Sequence, residues 1–243
     1  MRKALLVFAG VSIGLAAVGA VFVRPRLPRV KPERPDCHVG ITTPGIDVSY
    51  YQDVIDWQRV RRAGIRFAFI RVSDGAALPD PKFATNWAQA KRTGVVRGAY
   101  QFFRPDQDVV AQADLMIAAM RGRGRDDLPP ALDLEVDAGL AATEVAARAL
   151  IWIDRVRTRL GVEPVVYTGS DLWRNGGATP LALQPLWIAH YTQGCPTLPP
   201  HWPRWTFWQT SDRGAVPGIE GPVDLDLFAG TLADLRAELF AAP

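Results

Sequence analysis

The chain has 243 residues, of which 48% are hydrophobic, and this is enough for one substantial core in a single α/β domain or (β/α) barrel. The net charge is +3, but residues 1–40 hold seven of the 28 Lys and Arg and two of the 25 Asp and Glu. The rest of the chain therefore carries 21 basic and 23 acidic side chains. Because no basic stripe remains to follow a phosphate backbone, these numbers argue against a nucleic-acid partner.

The first predicted element is an apolar segment, residues 4–23, with twenty consecutive uncharged residues. That length spans a bilayer and exceeds the usual apolar core of a cleaved signal, so residues 1–23 are predicted to be a membrane anchor or signal segment. Val18-Gly19-Ala20 is a weak candidate cleavage site, which leaves secretion open. A strict count of the flanking basic residues would place the following domain in the cytoplasm. We favour a periplasmic or extracellular domain, because the N-terminus is signal-like and the following domain carries cysteine.

Residues 24–43 are rich in proline and arginine, show no apolar period and are predicted to be a semi-rigid linker. Its Cys37 and the later Cys195 are the two cysteines of the sequence. Two cysteines define no disulfide framework, so we leave open both a Cys37–Cys195 bond, which would suit an exported domain, and a pair of unrelated thiols. No CxxC motif or histidine cluster indicates zinc, and we expect no metal site.

From residue 44 to residue 243 the sequence predicts one domain in which strands alternate with helices. The predicted strands are 45–49, 66–75, 95–103, 130–136, 163–169, 185–191, 204–210 and 223–228, and the predicted helices are 55–64, 81–94, 108–122, 143–161 with Thr143 as N-cap, and 231–240. A short helical turn is predicted near residues 170–175. This alternation indicates right-handed crossovers and a mainly parallel sheet. We therefore predict an α/β fold, an incomplete (β/α) barrel of eight strands with helices mainly after the first five.

The stretch LPPALDLEVD, residues 128–137, places two acids inside an apolar strand pattern. Side chains two apart in a strand point to the same face, so Asp133 and Glu135 should lie close together. Two neighbouring carboxyls repel when both are ionised, and one of them should keep its proton near neutral pH. A protonated carboxyl beside an ionised one is the pairing used to cleave glycosidic bonds.

Further acids and aromatic residues fall near the ends of other predicted strands, where the working face of a barrel lies. They are Asp47, Tyr50, Tyr51, Tyr100, Gln101, Phe102, Tyr167, Trp187, Tyr191, Trp208, Gln209, Asp224 and Asp226. Each has an alternative interpretation, since a lone aspartate often pairs with arginine and a lone aromatic residue more often belongs to the core. Together they favour a polysaccharide ligand, because sugar rings stack on aromatic faces while their hydroxyls meet carboxylates and amides.

Seven motifs in order resemble the family 25 glycoside hydrolases, the N-acetylmuramidase lysozymes. They are GIDVSYYQ, GAYQFF, LDLE, VVYTG, PLWIAHY, FWQTS and VDLDLF, spread over residues 44–240. The resemblance implies a barrel of five β/α units and three further strands. It also implies hydrolysis of the β-1,4 bond from N-acetylmuramic acid to N-acetylglucosamine in peptidoglycan, without a cofactor, and we expect a monomer.

Carried over by position, the resemblance implies that Glu135 is the general acid and that Asp133 orients the reacting 2-acetamido group or water. Asp47 and Asp224 would complete the acidic cluster, and we expect seven aromatic residues to line the sugar site: Tyr50, Tyr100, Phe102, Tyr167, Trp187, Tyr191 and Trp208. In one departure from the family pattern, Gln101 stands where histidine is usual. Because of this departure, the resemblance implies the acid pair but does not determine the detailed sugar contacts or the pH profile.

Two other functions are compatible with the same residues. A non-catalytic glycan-binding barrel would keep the aromatic residues but would have no need for Glu135. A chitinase-like glycosidase would also set acids at alternating positions on its fourth strand. Turnover separates these alternatives: binding to insoluble peptidoglycan without hydrolysis would favour the first, and hydrolysis of chitin oligosaccharides alone would favour the second.

Overall fold

The structure is a computed structural model that describes residues 40–238. Its strands are β1 (Thr43–Val48), β2 (Phe67–Asp74), β3 (Leu78–Pro79), β4 (Val96–Phe102), β5 (Ala131–Leu134), β6 (Val165–Gly169), β7 (Leu186–Ala189), β8 (Phe207–Gly214) and β9 (Val223–Phe228). Its α-helices are α1 (Trp57–Arg62), α2 (Phe83–Thr93), α3 (Val109–Ala119), α4 (Ala142–Leu160) and α5 (Leu232–Glu238). Short 3-10 turns occupy Tyr50–Gln52, Asp171–Trp173 and Thr179–Leu181.

The apolar segment 4–23 and almost all of the linker 24–43 lie outside the described residues, as does Cys37. Cys195 is disulfide-bonded. Among the helices of residues 40–238, none combines the length and the apolar character that crossing a bilayer requires.

Eight of the strands close into a ring, in the order β1-β9-β8-β7-β6-β5-β4-β2, with β1 hydrogen-bonded to β2. The short β3 pairs only with β2 and stands outside the ring. Helices α1 to α4 follow the first four strands of the ring, whereas β6 is followed by 3-10 turns and no α-helix separates β7, β8 and β9. The predicted incomplete α/β barrel is therefore confirmed.

Alternation along each strand separates an inner core from an outer core. On β2, Phe67 and Phe69 point into the barrel, while Ala68 and Ile70 point outward. The inner core is largely aromatic and includes the stacked rings of Phe69 and Trp187. The outer apolar clusters lie between the strands and the helices. Any residue that continues the inward series beyond this core reaches the open end of the barrel.

The helices begin and end close to the predicted positions. α2 and α4 end at Gly94 and Gly161, both in the left-handed conformation with φ of 78° and 66°. The predicted N-cap of α4 is wrong, because the helix begins at Ala142 and Ala141 occupies the N-cap without a side-chain hydrogen bond. The high helix propensity of alanine extends the helix past Thr143, which lies in the first turn.

The last strands run in opposite directions. β8 is parallel to β7, whereas β9 is antiparallel to both β8 and β1. The prediction that Asp224 lies at the carboxyl end of its strand, like the other acids, is wrong. Asp224 lies near the amino end of β9, directly opposite Asp47 of β1. Because β9 is reversed, its amino end meets the carboxyl ends of the parallel strands at one rim.

Candidate active site

A cleft with a volume of about 230 Å³ opens at the carboxyl ends of the parallel strands. It is lined by Asp47, Ser49, Tyr51, Gln52, Arg71, Tyr100, Phe102, Asp133, Glu135, Tyr167, Trp187, Tyr191, Gln209 and Asp224. All four acids named from the sequence, Asp47, Asp133, Glu135 and Asp224, therefore meet in one place. No group of three or more His, Cys, Asp or Glu side chains within residues 40–238 is arranged to hold a metal ion.

Asp133 and Glu135 form the centre of the cleft. Asp133 belongs to β5 and is 4% exposed, whereas Glu135 follows the last strand residue and is exposed to solvent. Burial and the neighbouring charge of Glu135 raise the pKa of Asp133 well above its usual range. Loss of solvent also raises the pKa of Glu135, although a hydrogen bond with Asp133 opposes this. The pair therefore retains a proton at a higher pH than separate carboxyls would.

The Oδ1 atom of Asp133 is buried and has no hydrogen-bond partner within the described residues. A buried polar atom without a hydrogen-bond partner costs free energy when no ligand is bound. Such an atom therefore indicates that a ligand supplies the missing partner. The atom belongs to a residue that lines the cleft. Asp133 thus has the geometry of an acceptor or donor for substrate.

A second group of aspartates lies where β1 pairs with β9. Asp47 is 5% exposed, and burial followed by the charges of Asp226 and Asp224 raises its pKa well above the usual range. Burial raises the pKa of Asp224 to about 6. Asp226 is 2% exposed, and its pKa is also raised well above the usual range by burial. Repulsion within this group keeps part of it neutral under conditions in which free aspartate is ionised.

Gln209 of β8 fixes the orientation of Asp47 of β1. Its Nε2 donates to Asp47 Oδ2 at 2.7 Å. Its Oε1 accepts hydrogen bonds from the hydroxyls of Tyr167, at 2.9 Å, and Tyr191, at 2.7 Å. Two tyrosines and one aspartate are therefore held by a single amide, which rigidifies this wall of the cleft.

The seven predicted aromatic residues divide into two groups. Tyr100, Phe102, Tyr167, Trp187 and Tyr191 line the cleft. Of these, Trp187 is 1% exposed and its Nε1 donates to Asp226 Oδ1 at 2.8 Å, so it forms the floor. Tyr50 does not line the cleft, although its ring lies 4.3 Å from that of Tyr51, which does. Trp208 points outward, packs against Trp205 and donates to the carbonyl of His190.

Gln101 is also outside the cleft. It is fully buried between β4 and α4, where it accepts from Trp152 Nε1 at 2.7 Å and donates to Ser73 Oγ at 2.8 Å. Its inward neighbours on β4 are Tyr100 and Phe102, both of which line the cleft. Gln101 thus contributes to the packing of strand against helix.

Arg71, Ser49 and Gln52 also line the cleft, although none of them is among the predicted site residues. Arg71 continues the inward series of Phe67 and Phe69 on β2, so counting by two along that strand would have found it. Ser49 and Gln52 belong to a capping box around the 3-10 turn Tyr50–Gln52. A serine followed three residues later by glutamine was the signal for that turn.

A second recess of about 290 Å³ lies on the other side of Glu135. Glu135, Tyr167 and Tyr191 line both recesses, and Asp171 and His190 line only the second. Glu135 therefore lies between two spaces. A chain of sugars laid across both would bring a linkage close to this carboxyl.

Residues 46–219 match the sequence model of the "Glycosyl hydrolases family 25". YegX of Escherichia coli (strain K12) is 40% identical over 201 residues, which cover 81% of this chain and 73% of YegX. Lysozyme M1 of Streptomyces globisporus is 37% identical over 212 residues, covering 79% of this chain and 70% of that protein. The crystal structure of the bacterial lysozyme from Streptomyces coelicolor superposes with a TM-score of 0.75 at 33% identity, over 83% of this chain and 98% of that one.

Proposed function

The chain belongs to the glycosyl hydrolases of family 25, and from this membership and the cleft we propose a lysozyme-like hydrolase of bacterial peptidoglycan. The bond cleaved is the β-1,4 bond between N-acetylmuramic acid and N-acetylglucosamine. One observation supports this most directly: Asp133 and Glu135 lie together in an open cleft lined by aromatic rings, where burial raises the pKa of both carboxyls. Lysozyme names among the similar proteins point to the same substrate.

In this proposal Glu135 is the general acid. It is exposed in the cleft and lies between two recesses, so its carboxyl can reach the oxygen that links two bound sugars. Its raised pKa keeps the proton available at a pH where an ordinary glutamate is ionised. Protonation of the glycosidic oxygen lets the N-acetylglucosamine side depart as an alcohol.

Asp133 orients the group that reacts at the anomeric carbon, either the 2-acetamido group of the sugar or a water molecule. Its Oδ1 is free for this contact, and its hydrogen bond to Glu135 couples the two protonation states. Asp47 and Asp224 extend the acidic surface on the other side of the cleft, where developing positive charge on the sugar ring is stabilised.

Tyr100, Phe102, Tyr167 and Tyr191 offer ring faces and hydroxyls to the sugars. Burial holds Tyr100 and Tyr167 in place, at 8% and 6% exposure, whereas Tyr191 is half exposed at 51%. This gradient gives a rigid inner site and a more accessible rim. It suits a polymer that must slide into position before cleavage.

The setting of the domain follows from its substrate, since peptidoglycan lies outside the cytoplasmic membrane. Residues 44–243 form the hydrolase domain in this proposal, joined by the linker 24–43 to an uncleaved anchor at residues 4–23. The support for the anchor is its twenty uncharged residues and the basic residues on both sides. The enzyme acts as a monomer tethered near the wall it cuts.

The test is the substitution Glu135→Gln, with Glu144→Gln as the matched control on the exposed face of α4. We expect Glu135→Gln to lower kcat on purified peptidoglycan by roughly 100-fold or more, the usual worth of a general acid. Thermal unfolding should be unchanged in both variants, and Glu144→Gln should keep full activity. Reducing-end release is measured, and mass spectrometry identifies the sugar that carries the new end. Undiminished turnover by Glu135→Gln would refute the assignment.

A further inference from the structure

Arg71 is the only basic side chain among the described residues that line the cleft. It belongs to β2, continues the inward series of Phe67 and Phe69, and is 9% exposed. A buried cation is costly unless the protein or a ligand pairs with it. Its position in an otherwise acidic cleft therefore indicates that an anionic group of the substrate pairs with it.

The guanidinium of Arg71 is held in place from behind. Its Nε donates to Asp80 Oδ2 at 3.3 Å, and Asp80 is itself fixed by the backbone N–H groups of Tyr50 and Lys82, both at 2.8 Å. The rings of Tyr50 and Tyr51 lie over the guanidinium, with centroids at 4.9 Å and 5.3 Å. These contacts make a rigid, preoriented cation.

Much of the hydrogen-bonding capacity of Arg71 remains available. Asp80, through Nε, is the one carboxylate within residues 40–238 that pairs with it. The guanidinium presents five N–H donors in a planar fork that matches the two oxygens of a carboxylate. Its Nη groups are thus suited to an anionic group of a ligand in the cleft.

The neighbourhood of Arg71 indicates which sugar substituent it meets. β4 lies between β2 and β5, with Tyr100 opposite Arg71 and Phe102 opposite Asp133. At the usual strand spacing the β2 and β5 backbones are roughly 10 Å apart, and the register places Asp133 two residues, or roughly 7 Å, further along the strands than Arg71. Both side chains line the same cleft. Burial raises the pKa of Asp133, and the positive charge of Arg71 opposes that rise.

In the proposed function Asp133 acts at the anomeric carbon, C1, of the cleaved sugar, and the acetamido group stands on the adjacent C2. On a pyranose ring the substituent on C3 is the direct neighbour of that group. In N-acetylmuramic acid this substituent is a lactyl ether, which ends in a carboxylate when no peptide is attached. N-acetylglucosamine carries only a hydroxyl there.

We propose that Arg71 binds the lactyl carboxylate of the muramic acid residue whose glycosidic bond is cleaved, and that the enzyme therefore prefers glycan strands without stem peptides. A stem peptide converts the carboxylate into an amide, which removes the charge and leaves one carbonyl acceptor. A charge-assisted bidentate contact is stronger than a neutral one. This inference rests on the proposed function and adds a substrate class to it.

The experiment compares three substrates: peptide-free glycan strands made with an amidase, peptide-bearing strands of matched length, and chitin oligosaccharides. For the wild-type chain we expect a lower KM on peptide-free strands than on peptide-bearing strands. Arg71→Met should raise KM on peptide-free strands roughly ten-fold, the worth of one charged hydrogen bond, with little change on peptide-bearing strands. Arg71→Lys should recover part of the loss, and kcat should stay within about two-fold if the contact is one of uniform binding.

Controls separate this role from a structural one. Arg155→Met breaks a more exposed arginine–aspartate pair on the outer helices and should leave all KM values unchanged. Because Arg71→Met leaves Asp80 buried without its cation, Arg71→Met with Asp80→Asn is measured as well, together with thermal unfolding. An equal rise of KM on both kinds of strand would overturn the lactyl contact.

Failure of the inference and failure of the proposed function give different results. If the wild-type chain cleaves both kinds of strand with equal KM, the function stands and the role of Arg71 is refuted. If it cleaves only chitin oligosaccharides, or nothing, the proposed function itself fails. Binding of the Glu135→Gln variant to peptide-free strands, weakened roughly ten-fold by adding Arg71→Met, would support the contact without turnover.

Discussion

Asp226 is a carboxyl that the fold buries without fully satisfying it. Its Oδ1 accepts from Trp187, whereas its Oδ2 has no hydrogen-bond partner within residues 40–238. Burial raises its pKa, so the native state holds a proton that the unfolded chain releases above the ordinary aspartate range. The free energy of unfolding therefore decreases as the pH rises from about 4 through the native pKa of this group.

The substitution Asp226→Asn should remove this decrease in the free energy of unfolding. Asparagine keeps an oxygen for Trp187 and does not ionise, so we expect it to raise the free energy of unfolding at pH 7 by about 1 kcal/mol or more. The gain should shrink towards pH 4, where the wild-type carboxyl is protonated. Urea unfolding at both pH values measures it, with Asp126→Asn at an exposed loop position as the control. A variant less stable than wild type at pH 7 would contradict this account.

Side-chain direction was the main limit on predicting site residues from the sequence. The motifs located the strands that contribute to the site. However, an error of one residue in the alternation along a strand assigns inward-pointing side chains to the outer face. On β8 the inward series is Phe207 and Gln209, so Trp208 points to the outer layer while Gln209 reaches Asp47. Asp133 of β5 and Glu135, just beyond its end, are separated by one residue and line the same cleft, as predicted. Their like charges within an apolar run made that strand the easiest to interpret.

At the scale of elements, inner-face glycines allow the barrel to close around large rings. A Cβ on Gly45 of β1 would lie 2.3 Å from the ring of Phe67, and one on Gly98 of β4 would lie 2.6 Å from the ring of Phe69. Both rings are fully buried in the inner core. These glycines are required by close approach and not by backbone conformation.

Gly45→Ala should therefore destabilise the fold by overpacking, at a cost of about 1–3 kcal/mol. Gly122→Ala is the matched control, since a Cβ at that position would meet nothing within 4 Å. Thermal or urea unfolding of the two variants measures the difference. Equal stability of Gly45→Ala and wild type would mean that Phe67 moves without cost and that the inner core is not tightly packed.

Most elements could be predicted from the sequence because their signals are local. The glycines that end α2 and α4 and the apolar runs of the strands identified them. The direction of β9 could not be predicted, because it depends on which edges the last strand pairs with. The pairing of distant strands is a property of the closed barrel, and no local pattern of VDLDLF distinguishes a parallel strand from an antiparallel one.

At the scale of the whole molecule, the proposed anchor makes a prediction about location. The full-length chain expressed in bacteria should sediment with membranes and resist a carbonate wash, because twenty apolar residues insert stably. A chain lacking residues 4–23 should not sediment. Protease added outside the cytoplasmic membrane should digest the hydrolase domain. A soluble exported chain that begins after residue 20 would show instead that the segment is a cleaved signal.

The seam between β1 and β9 has a consequence for biosynthesis. Asp47 is on the first strand and Asp224 on the last, and they stand opposite one another. Across the same seam Gln209 holds Asp47, from a position 162 residues later in the chain. A polypeptide still emerging from the ribosome, or cut short by a premature stop, has one side of this acidic surface without the other. The acidic surface around Asp47 is therefore complete only after nearly the whole domain has been synthesised.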